Sequence, residues 1–304
     1  MLNADPDAGR RDVDRTSPGI PLSSASPNFS ALAGGKASPF SAIPQGTYEL
    51  RITGAGKNTD LRFDLPSLKL SDQETLSLII TESPGGYLVN VMALPQKGAL
   101  TVYTNPDARV RAAIGVSGAS SVSASVGSTA LLSGAPASTI GSYQLVSAGS
   151  QTVSLVVDGT AVSAPDQSLT AGQDYTLLVY GTPGNVQESW LADRNIPALS
   201  GYSSVRLVNA MSGSGDPLSL AVNFMPVATG VPLGSDLPSG AASGTSPYNT
   251  QVVATTTGTV TVTDYTTAQT LYSQSTATLG SGNVYSMFMF GSTSAPVGVL
   301  SQDR

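Results

Sequence analysis

Carboxylates are the main candidates for chemistry in this sequence, because its 304 residues include no His and no Cys. That composition excludes thiol nucleophiles, Ser-His-Asp triads, zinc sites and acid–base catalysis by His. Asp5, Asp7, Asp12 and Asp14 could offer oxygen ligands to Ca²⁺, which takes six to eight of them. The segment lacks the spacing of a calcium-binding EF-hand loop and its closing Glu, so a solvated acidic loop is the favoured interpretation.

A pair of carboxylates is the other candidate, and Asp64 with the turn Asp72-Gln73-Glu74 could supply one. Two carboxylates about 5–10 Å apart cleave glycosidic bonds, but Asp and Glu beside turns are ordinary surface residues. A Ser nucleophile with a Lys base would need a Lys in the later part of the chain. All four lysines lie before residue 100: Lys36, Lys57, Lys69 and Lys97. We therefore predict no catalytic, cofactor-binding or metal-binding residue, and a protein that is not an enzyme.

Aromatic side chains could stack on sugars, and six of them fall in or near predicted strands. They are Tyr143, Tyr175, Tyr180, Trp190, Tyr202 and Tyr248. Most of these positions are predicted to point inward, which favours core packing. A row of aromatic rings exposed on one sheet would instead indicate a carbohydrate-binding module.

Composition limits the partners and the compartment. Charged residues make up 11% of the chain, against about 25% in ordinary soluble proteins. The net charge of −6 and a pI near 4.5, with no basic stripe, argue against nucleic-acid binding. No run of 18 apolar residues predicts a transmembrane segment, and the N-terminus lacks the pattern of a signal peptide. The many Ser and Thr residues favour an extracytoplasmic β-protein whose export signal lies outside this sequence.

The elements that must position these residues recur three times. Leu169–Tyr180 reads as a polar turn followed by a buried strand, and altered copies stand at Leu70–Ile80 and Leu279–Phe290. The leading Leu residues are 99 and 110 positions apart, about the length of one small domain. We predict three tandem domains, repeat 1 over 1–106, repeat 2 over 107–200 and repeat 3 over 201–304.

Each repeat contains about seven short strands separated by turns. Segments such as Ser204–Ala210 alternate apolar and polar residues, as half-buried strands do, and no segment keeps a helical period. The pattern predicts an all-β fold of three immunoglobulin-like antiparallel β-sandwiches. A small β-barrel is the alternative architecture.

Repeat 1 begins differently from the other two. Leu2-Asn3-Ala4 aligns with Val208-Asn209-Ala210, so the preceding half of that strand is missing from repeat 1. Either the sequence is a truncated form of a longer one, or repeat 1 evolved without the half-strand. In both cases the neighbouring strand would show an open edge, which invites pairing with another chain. We predict that repeat 1 is the least stable and a site of self-association.

The openings of the repeats suggest a family. Ala108-Arg109-Val110-Arg111 and Val205–Ala210, with Gly46–Thr53 and the closing Gly298–Arg304, resemble bacterial proteins of the domain of unknown function 4397 family. The resemblance is to multi-repeat members from proteobacteria, and it implies export, often as lipoproteins. This sequence departs from that pattern because it has no lipobox Cys, and Asp12-Val13-Asp14-Arg15 places charges where the family has apolar residues. The family has no established activity, so it assigns no catalytic residue.

These observations favour a non-enzymatic protein of the cell envelope or extracellular space, in the periplasm, on the outer membrane or secreted. A structural spacer, adhesive or matrix component is the first hypothesis, with envelope polysaccharide as a possible partner. A carbohydrate-binding module is the second, and a hydrolase built on carboxylates is the third.

Overall fold

The computed structural model describes residues 1–4, 9–213, 215–242, 245–248 and 250–304. Strands dominate these residues, and their only helical element is one 3₁₀ turn at Leu22–Ser24. None of the helical structure found there is long or apolar enough to cross a membrane. The strands pair into separate sheets, so the predicted all-β fold of tandem β-sandwiches is confirmed.

Residue contacts divide the chain into two compact units, Met1–Pro106 and Asp107–Arg304. The first unit corresponds to repeat 1, and its described residues form nine strands. They are β1 (Leu2–Asn3), β2 (Arg11–Thr16), β3 (Phe29–Leu32), β4 (Lys36–Ala37), β5 (Gly46–Gly54), β6 (Lys57–Leu70), β7 (Leu76–Glu82), β8 (Val89–Pro95) and β9 (Thr101–Tyr103). One sheet has the order β4-β1-β7-β8-β9 and the other β3-β2-β5-β6. Val13, Ile52, Phe63, Ile80 and Val91 are at most 2% exposed in the core between them.

The charged segment of repeat 1 does form a strand. Asp12 lies in β2 with only 7% of its surface exposed. Its Oδ1 accepts a hydrogen bond from the Ala31 amide at 2.7 Å, and its Oδ2 accepts one from the Gly56 amide at 2.8 Å. These backbone donors satisfy the buried carboxylate, so the charge that made this strand doubtful in the sequence is compatible with it.

The second unit holds the strands of repeats 2 and 3. Those of repeat 2 are β10 (Asp107–Val116), β11 (Val122–Val126), β12 (Thr129–Ala135), β13 (Gln144–Ser147), β14 (Gly149–Gln151), β15 (Val153–Val157), β16 (Thr160–Val162), β17 (Gln167–Leu169), β18 (Asp174–Thr182) and β19 (Asn185–Asp193). Those of repeat 3 are β20 (Tyr202–Asn209), β21 (Leu218–Val222), β22 (Met225–Val231), β23 (Gln251–Val253), β24 (Thr255–Asp264), β25 (Thr270–Leu279), β26 (Val284–Ser292) and β27 (Ala295–Gln302).

Both repeats of this unit use the same sheet plan. One sheet has the order β13-β10-β18-β19 in repeat 2 and β23-β20-β26-β27 in repeat 3. The facing sheets are β12-β11-β15-β16 and β22-β21-β24-β25, and β14 pairs with β17 in a separate ribbon. Alternate residues of β10 and β18, such as Val110 and Leu177, point into the sandwich. The intervening residues lie on the outer face of the sheet.

The strand register shows which positions correspond among the repeats. The first strand runs parallel to the strand after the recurring turn, with Leu2 opposite Ile79, Ala113 opposite Leu178, and Val208 opposite Phe288. All other pairs within the sheets are antiparallel. The match of Leu2-Asn3-Ala4 to Val208-Asn209-Ala210 therefore agrees with the structure. The amide of Asn3 donates to the Leu32 carbonyl at 3.2 Å, as Asn209 does to the Val231 carbonyl at 3.0 Å.

The length of this parallel pairing differs among the repeats. Eight residue pairs join β10 to β18 and six join β20 to β26, whereas two join β1 to β7 among the described residues. Within the part of the chain that the structure describes, the parallel pairing of repeat 1 is therefore the shortest of the three.

Candidate functional site

The carboxylates of repeat 1 are used within the fold. Asp12 is held by the two backbone amides described above, and Asp14 is 3% exposed. Burial raises the pKa of Asp14, although Arg51 partly opposes this effect. Asp5 and Asp7 lie outside the described residues. No group of three acidic residues that could hold a metal ion occurs in the part of the chain that the structure describes.

The other proposed carboxylate pair is not brought together in one cavity. Asp72 and Glu74 line a cavity of about 760 Å³ in repeat 1, and Asp64 is not among its lining residues. Glu74 accepts a hydrogen bond from the Ser71 amide at 3.0 Å within its own turn. This arrangement gives no support to a hydrolase built on these residues.

The six aromatic residues do not form an exposed row. Tyr175, Tyr180 and Tyr248 are at most 9% exposed, and Trp190 packs edge-on against Tyr175 with ring centroids 6.2 Å apart. Tyr143 lies in a polar cluster, whereas Tyr202 is 42% exposed. Tyr175 and Trp190 pack with the core of the sandwich, as predicted. Tyr180 is buried on the outer face of its sheet instead, and Tyr143 and Tyr248 are buried beside arginine side chains.

The most unusual feature of the molecule is a buried cluster of arginine and aspartate side chains in the second unit. Arg111 in β10 and Arg206 in β20 occupy corresponding positions on the outer faces of their sheets. They are 2% and 0% exposed. Charged residues are almost never buried to this extent without partners, so their contacts determine what the cluster does.

Arg111 reaches from repeat 2 to Asp303, the residue that follows the last strand of repeat 3. Its Nε donates to Thr176 Oγ1 at 2.9 Å within its own repeat. Its Nη1 donates to Asp303 Oδ1 at 2.6 Å in the other repeat. The Asp303 side chain is fully buried.

Arg206 makes the reciprocal connection. Its Nε donates to Ser286 Oγ at 2.7 Å within repeat 3, as Arg111 does to Thr176 in repeat 2. Its Nη2 lies 2.7 Å from Asp193 Oδ1 in repeat 2. A further ion pair joins its Nη1 to Asp236 Oδ2 at 2.8 Å. Each repeat therefore sends one arginine to the final aspartate of the other.

Hydroxyl groups complete the two halves of the cluster. Asp193 accepts hydrogen bonds from Thr176 at 2.6 Å and from Tyr143 at 2.5 Å. Asp303 accepts them from Ser286 at 2.5 Å and from Tyr248 at 3.2 Å. Each aspartate thus has one hydroxyl of Ser or Thr and one of Tyr, in addition to an arginine.

A side branch extends the cluster within repeat 2. The guanidinium of Arg109 forms a bidentate ion pair with Asp174. The amide of Asn195 donates to Asp174 at 2.8 Å and to the Tyr143 hydroxyl at 3.2 Å. Arg109 and Arg111 both lie against the ring of Tyr143, with guanidinium carbons 4.4 and 4.6 Å from its centroid.

Apolar residues seal the cluster on the same outer faces. Repeat 2 contributes Ala113, Leu178, Tyr180 and Leu191, and repeat 3 contributes Val208, Ala210, Phe288 and Phe290. The backbones approach closely at Gly115, where an added Cβ would lie 2.7 Å from Ala210 Cβ. Ala210 occupies the position in repeat 3 that Gly115 occupies in repeat 2. The two repeats therefore come closest where both have a small residue.

Burial and ion pairing act against each other in this cluster. Burial opposes ionisation of Asp193, yet Arg206 and Arg111, with hydrogen bonds from Thr176 and Tyr143, hold its pKa below the ordinary value. Burial raises the pKa of Asp236, and Arg206 only partly offsets that effect. Burial also raises the pKa of Tyr143 well above its ordinary value. Burial raises the pKa of Tyr248 in the same way. Asp193 is therefore an ionised partner, and Tyr143 and Tyr248 are neutral donors.

This arrangement fits a structural role better than a catalytic one. The charges are compensated and shielded from solvent, and the hydroxyls already donate to carboxylates. Buried ion pairs add little net stability compared with apolar packing, but they penalise any geometry that leaves a charge unpaired. The cluster therefore fixes the orientation of repeats 2 and 3.

Sequence reasoning used Arg109, Arg111 and Arg206 only as marks of the repeat and did not predict their contacts. The sequence did contain a pattern that could have predicted these contacts. Arg111 and Arg206 stand at the same position near the start of repeats 2 and 3, and Asp193 and Asp303 stand at the same position near the end. Residues of unlike charge at matching ends of two repeats are suitable partners across an interface.

The cluster lies in and beside a segment that matches a known family. Residues 86–216 match the family described as domain of unknown function (DUF4397). This segment contains all of repeat 2 and the start of repeat 3, including Arg109, Arg111, Asp193 and Arg206. No curated protein matches the sequence. The resemblance seen in the openings of repeats 2 and 3 is confirmed over this segment, which is similar to the family of domain of unknown function DUF4397.

Proposed function

We propose that this chain is a non-enzymatic tandem-repeat protein of the cell envelope or extracellular space, acting as a spacer, adhesive or matrix component. The observation that carries the proposal is the reciprocal Arg111–Asp303 and Arg206–Asp193 pairing inside an apolar seal. It holds the two repeats together within one compact unit, as a mechanical or spacing element requires. The low share of charged residues and the absence of Cys and His support the same interpretation.

Rigidity can be tested by NMR relaxation of backbone amides in the full chain. We expect amides of 107–200 and 201–304 to report the same rotational diffusion, because the repeats share a buried interface. Independent tumbling of the two repeats would contradict the spacer model. The matched comparison is Arg206→Met, which should loosen the pair, against Arg194→Met, which changes an exposed arginine.

The location can be tested in the native host with an antibody against the second unit. Protease added to intact cells should remove the signal if the protein is at the surface, and osmotic release should recover it if it is periplasmic. Retention with a cytoplasmic marker would contradict the proposal.

Binding of envelope polysaccharide is a separate expectation, which a thermal-shift scan with a glycan panel can test. Trp190, the single tryptophan, serves as the reporter. A ligand at a hundred times its Kd adds about 2.7 kcal/mol to the free energy of unfolding. A reproducible shift with one class of glycan would favour a binding module instead, and Tyr202 would be the first side chain to replace.

A further inference from the structure

We propose that one end of repeat 3 binds the surface of a lipid bilayer and inserts apolar side chains into it. This apolar tip surface consists of Leu199, Tyr202, Phe224, Met225 and Val253, which are between 42% and 91% exposed. They are five of the eight large apolar residues exposed in the described part of the second unit. The proposal goes beyond a spacer function, because it gives the chain a membrane to bind.

Three residues of this surface come together where repeat 3 begins. Tyr202, the first residue of β20, lies opposite Val253, the last residue of β23. The Tyr202 amide donates to the Leu199 carbonyl at 2.9 Å, and the Ala254 amide donates to the Gly201 carbonyl at 2.9 Å. These bonds hold the segment that leads into β20 against the end of β23. The three exposed apolar side chains therefore belong to one end of the sheet.

The hairpin between β21 and β22 places the other two residues at the same end. β24 follows β23 directly, and β21 runs antiparallel to β24, so β21 ends where β24 begins. The Asn223 amide donates to the Thr259 carbonyl at 2.8 Å, and the Thr259 amide donates to Asn223 Oδ1 at 2.8 Å. The hairpin is thus anchored on β24, and Phe224 and Met225 lie at the same end of the sandwich as Val253.

Phe224 occupies a position that usually belongs to glycine. Asn223 and Phe224 have φ values of 49° and 65°, and two-residue hairpin turns of this kind prefer Asn-Gly. A bulky residue in this backbone region is unfavourable, and a ring that is 91% exposed gains little from packing within the chain. The corresponding hairpin of repeat 2 has the small residues Gly127 and Ser128. The strain at Phe224 therefore indicates a function outside the fold.

The chemistry of this end fits lipid better than a charged partner. The segments that form it, 195–203, 222–229 and 250–263, contain no charged residue. Of the charged residues that follow β27 at this end, Asp303 is buried in the cluster and Arg304 donates to the Asn195 carbonyl at 2.8 Å. Separate turns and strand ends carry the apolar side chains, which suits a fluid bilayer. Lipid binding strengthens with the apolar area that is buried, and tyrosine is common at the membrane–water interface.

The test is flotation of the full chain with vesicles of phosphatidylcholine, and with vesicles of phosphatidylcholine and phosphatidylglycerol in equal parts. We expect the chain to float with both, because burial of apolar side chains supplies most of the affinity. Phe224→Gly should weaken binding to both at least about tenfold, since the buried ring is lost. The same change relieves backbone strain in the free chain, so weaker binding would not come from unfolding.

Two further variants make the test specific to this end of repeat 3. Tyr265→Ser is the matched control, because Tyr265 is 56% exposed at the opposite end, in the turn between β24 and β25. It should leave flotation unchanged. Phe224→Trp reports insertion, since its emission should move to shorter wavelength when vesicles are added. In the unaltered chain the emission of Trp190, which packs against the core of repeat 2, should not move.

Three results would overturn the proposal: no flotation with either vesicle, flotation only with phosphatidylglycerol, or equal flotation of Phe224→Gly and the unaltered chain. Sedimentation velocity without lipid tests the alternative occupant, a second copy of the chain. A dimer that Phe224→Gly abolishes, in a chain that does not float, would assign this end to self-association and rule out lipid. The assay uses the purified chain, so its result does not depend on where the cell places the protein.

Discussion

Replacing Arg206 by Met tests whether the buried cluster holds repeats 2 and 3 together. The substitution keeps an apolar stem of similar length and removes a guanidinium that lies 2.7 Å from Asp193 and 2.8 Å from Asp236. Each close ionic contact is worth about 4 kcal/mol of Coulomb attraction at an effective dielectric constant of about 20. Desolvation of the arginine offsets part of that gain. Removing one partner of a buried pair leaves the other charge uncompensated, which costs about 3–5 kcal/mol.

The assay is calorimetric and fluorescence-detected unfolding, with Trp190 reporting on the second unit. For a unit of this size, that loss lowers the melting temperature by about 6–20 °C. The transition of the first unit should stay unchanged. Arg194→Met is the matched control because Arg194 is exposed, and it should leave both transitions in place.

A double-mutant cycle isolates the contact with Asp193. Arg206→Met and Asp193→Asn should show a coupling free energy of at least about 1 kcal/mol, because residues in one network are not additive. The reasoning would be refuted if Arg206→Met melted within about 2 °C of the unaltered chain, or if the two changes were additive.

Three further predictions also concern the second unit. Gly115→Ala should destabilise this unit by about 1–3 kcal/mol, because the new Cβ would lie 2.7 Å from Ala210 Cβ and 2.9 Å from the Ala210 carbonyl oxygen. If the variant and the unaltered chain unfold at the same urea concentration, the contact at Gly115 is not tight. The pKa of Asp193 is lowered in the folded chain, so its contribution is complete above the ordinary aspartate value of 3.8 and is lost as the pH falls towards the folded value. Unfolding free energies between about pH 5 and 3 should therefore fall less steeply for Asp193→Asn, and parallel curves would count against this assignment. Phe224→Gly should stabilise repeat 3 by about 0.5–1 kcal/mol, because Phe224 is 91% exposed and has a φ of 65° in a hairpin turn, a backbone conformation that favours glycine. A loss of stability in urea unfolding would show that the ring contributes to the folded state.

Much of the fold could be predicted from the sequence because local patterns carry it. The alternation in Ser204–Ala210 predicted a strand, which is β20, but both faces of β20 are buried rather than one. The turn before Tyr175 appears in the structure as predicted. The alignment of Leu2-Asn3-Ala4 with repeat 3 could also be predicted, because both segments have an Asn between two apolar residues. The strands in segment 17–44 were not predicted. This segment contains the short strands β3 and β4, whose pairing depends on residues that lie elsewhere in the chain.

The cluster could not be predicted for a related reason. The contact between Arg111 and Asp303 spans 192 residues, and an alternating strand pattern does not show what covers its outer face. A charged residue on that face reads as solvent-exposed when only one repeat is considered. These charged residues pair across the interface because the outer faces of repeats 2 and 3 cover each other.

The reciprocal pairing also has a mechanical consequence. Because each repeat of the second unit lends an arginine to the final aspartate of the other, neither can come apart without unpairing charges in both. A chain stretched from its ends should therefore lengthen in two steps rather than three, one for the 106 residues of the first unit and one for the remaining 198. At about 3.5 Å per extended residue, the larger step would release about 690 Å at once. The sequence repeats about every 100 residues, but under force we expect repeats 2 and 3 to unfold together.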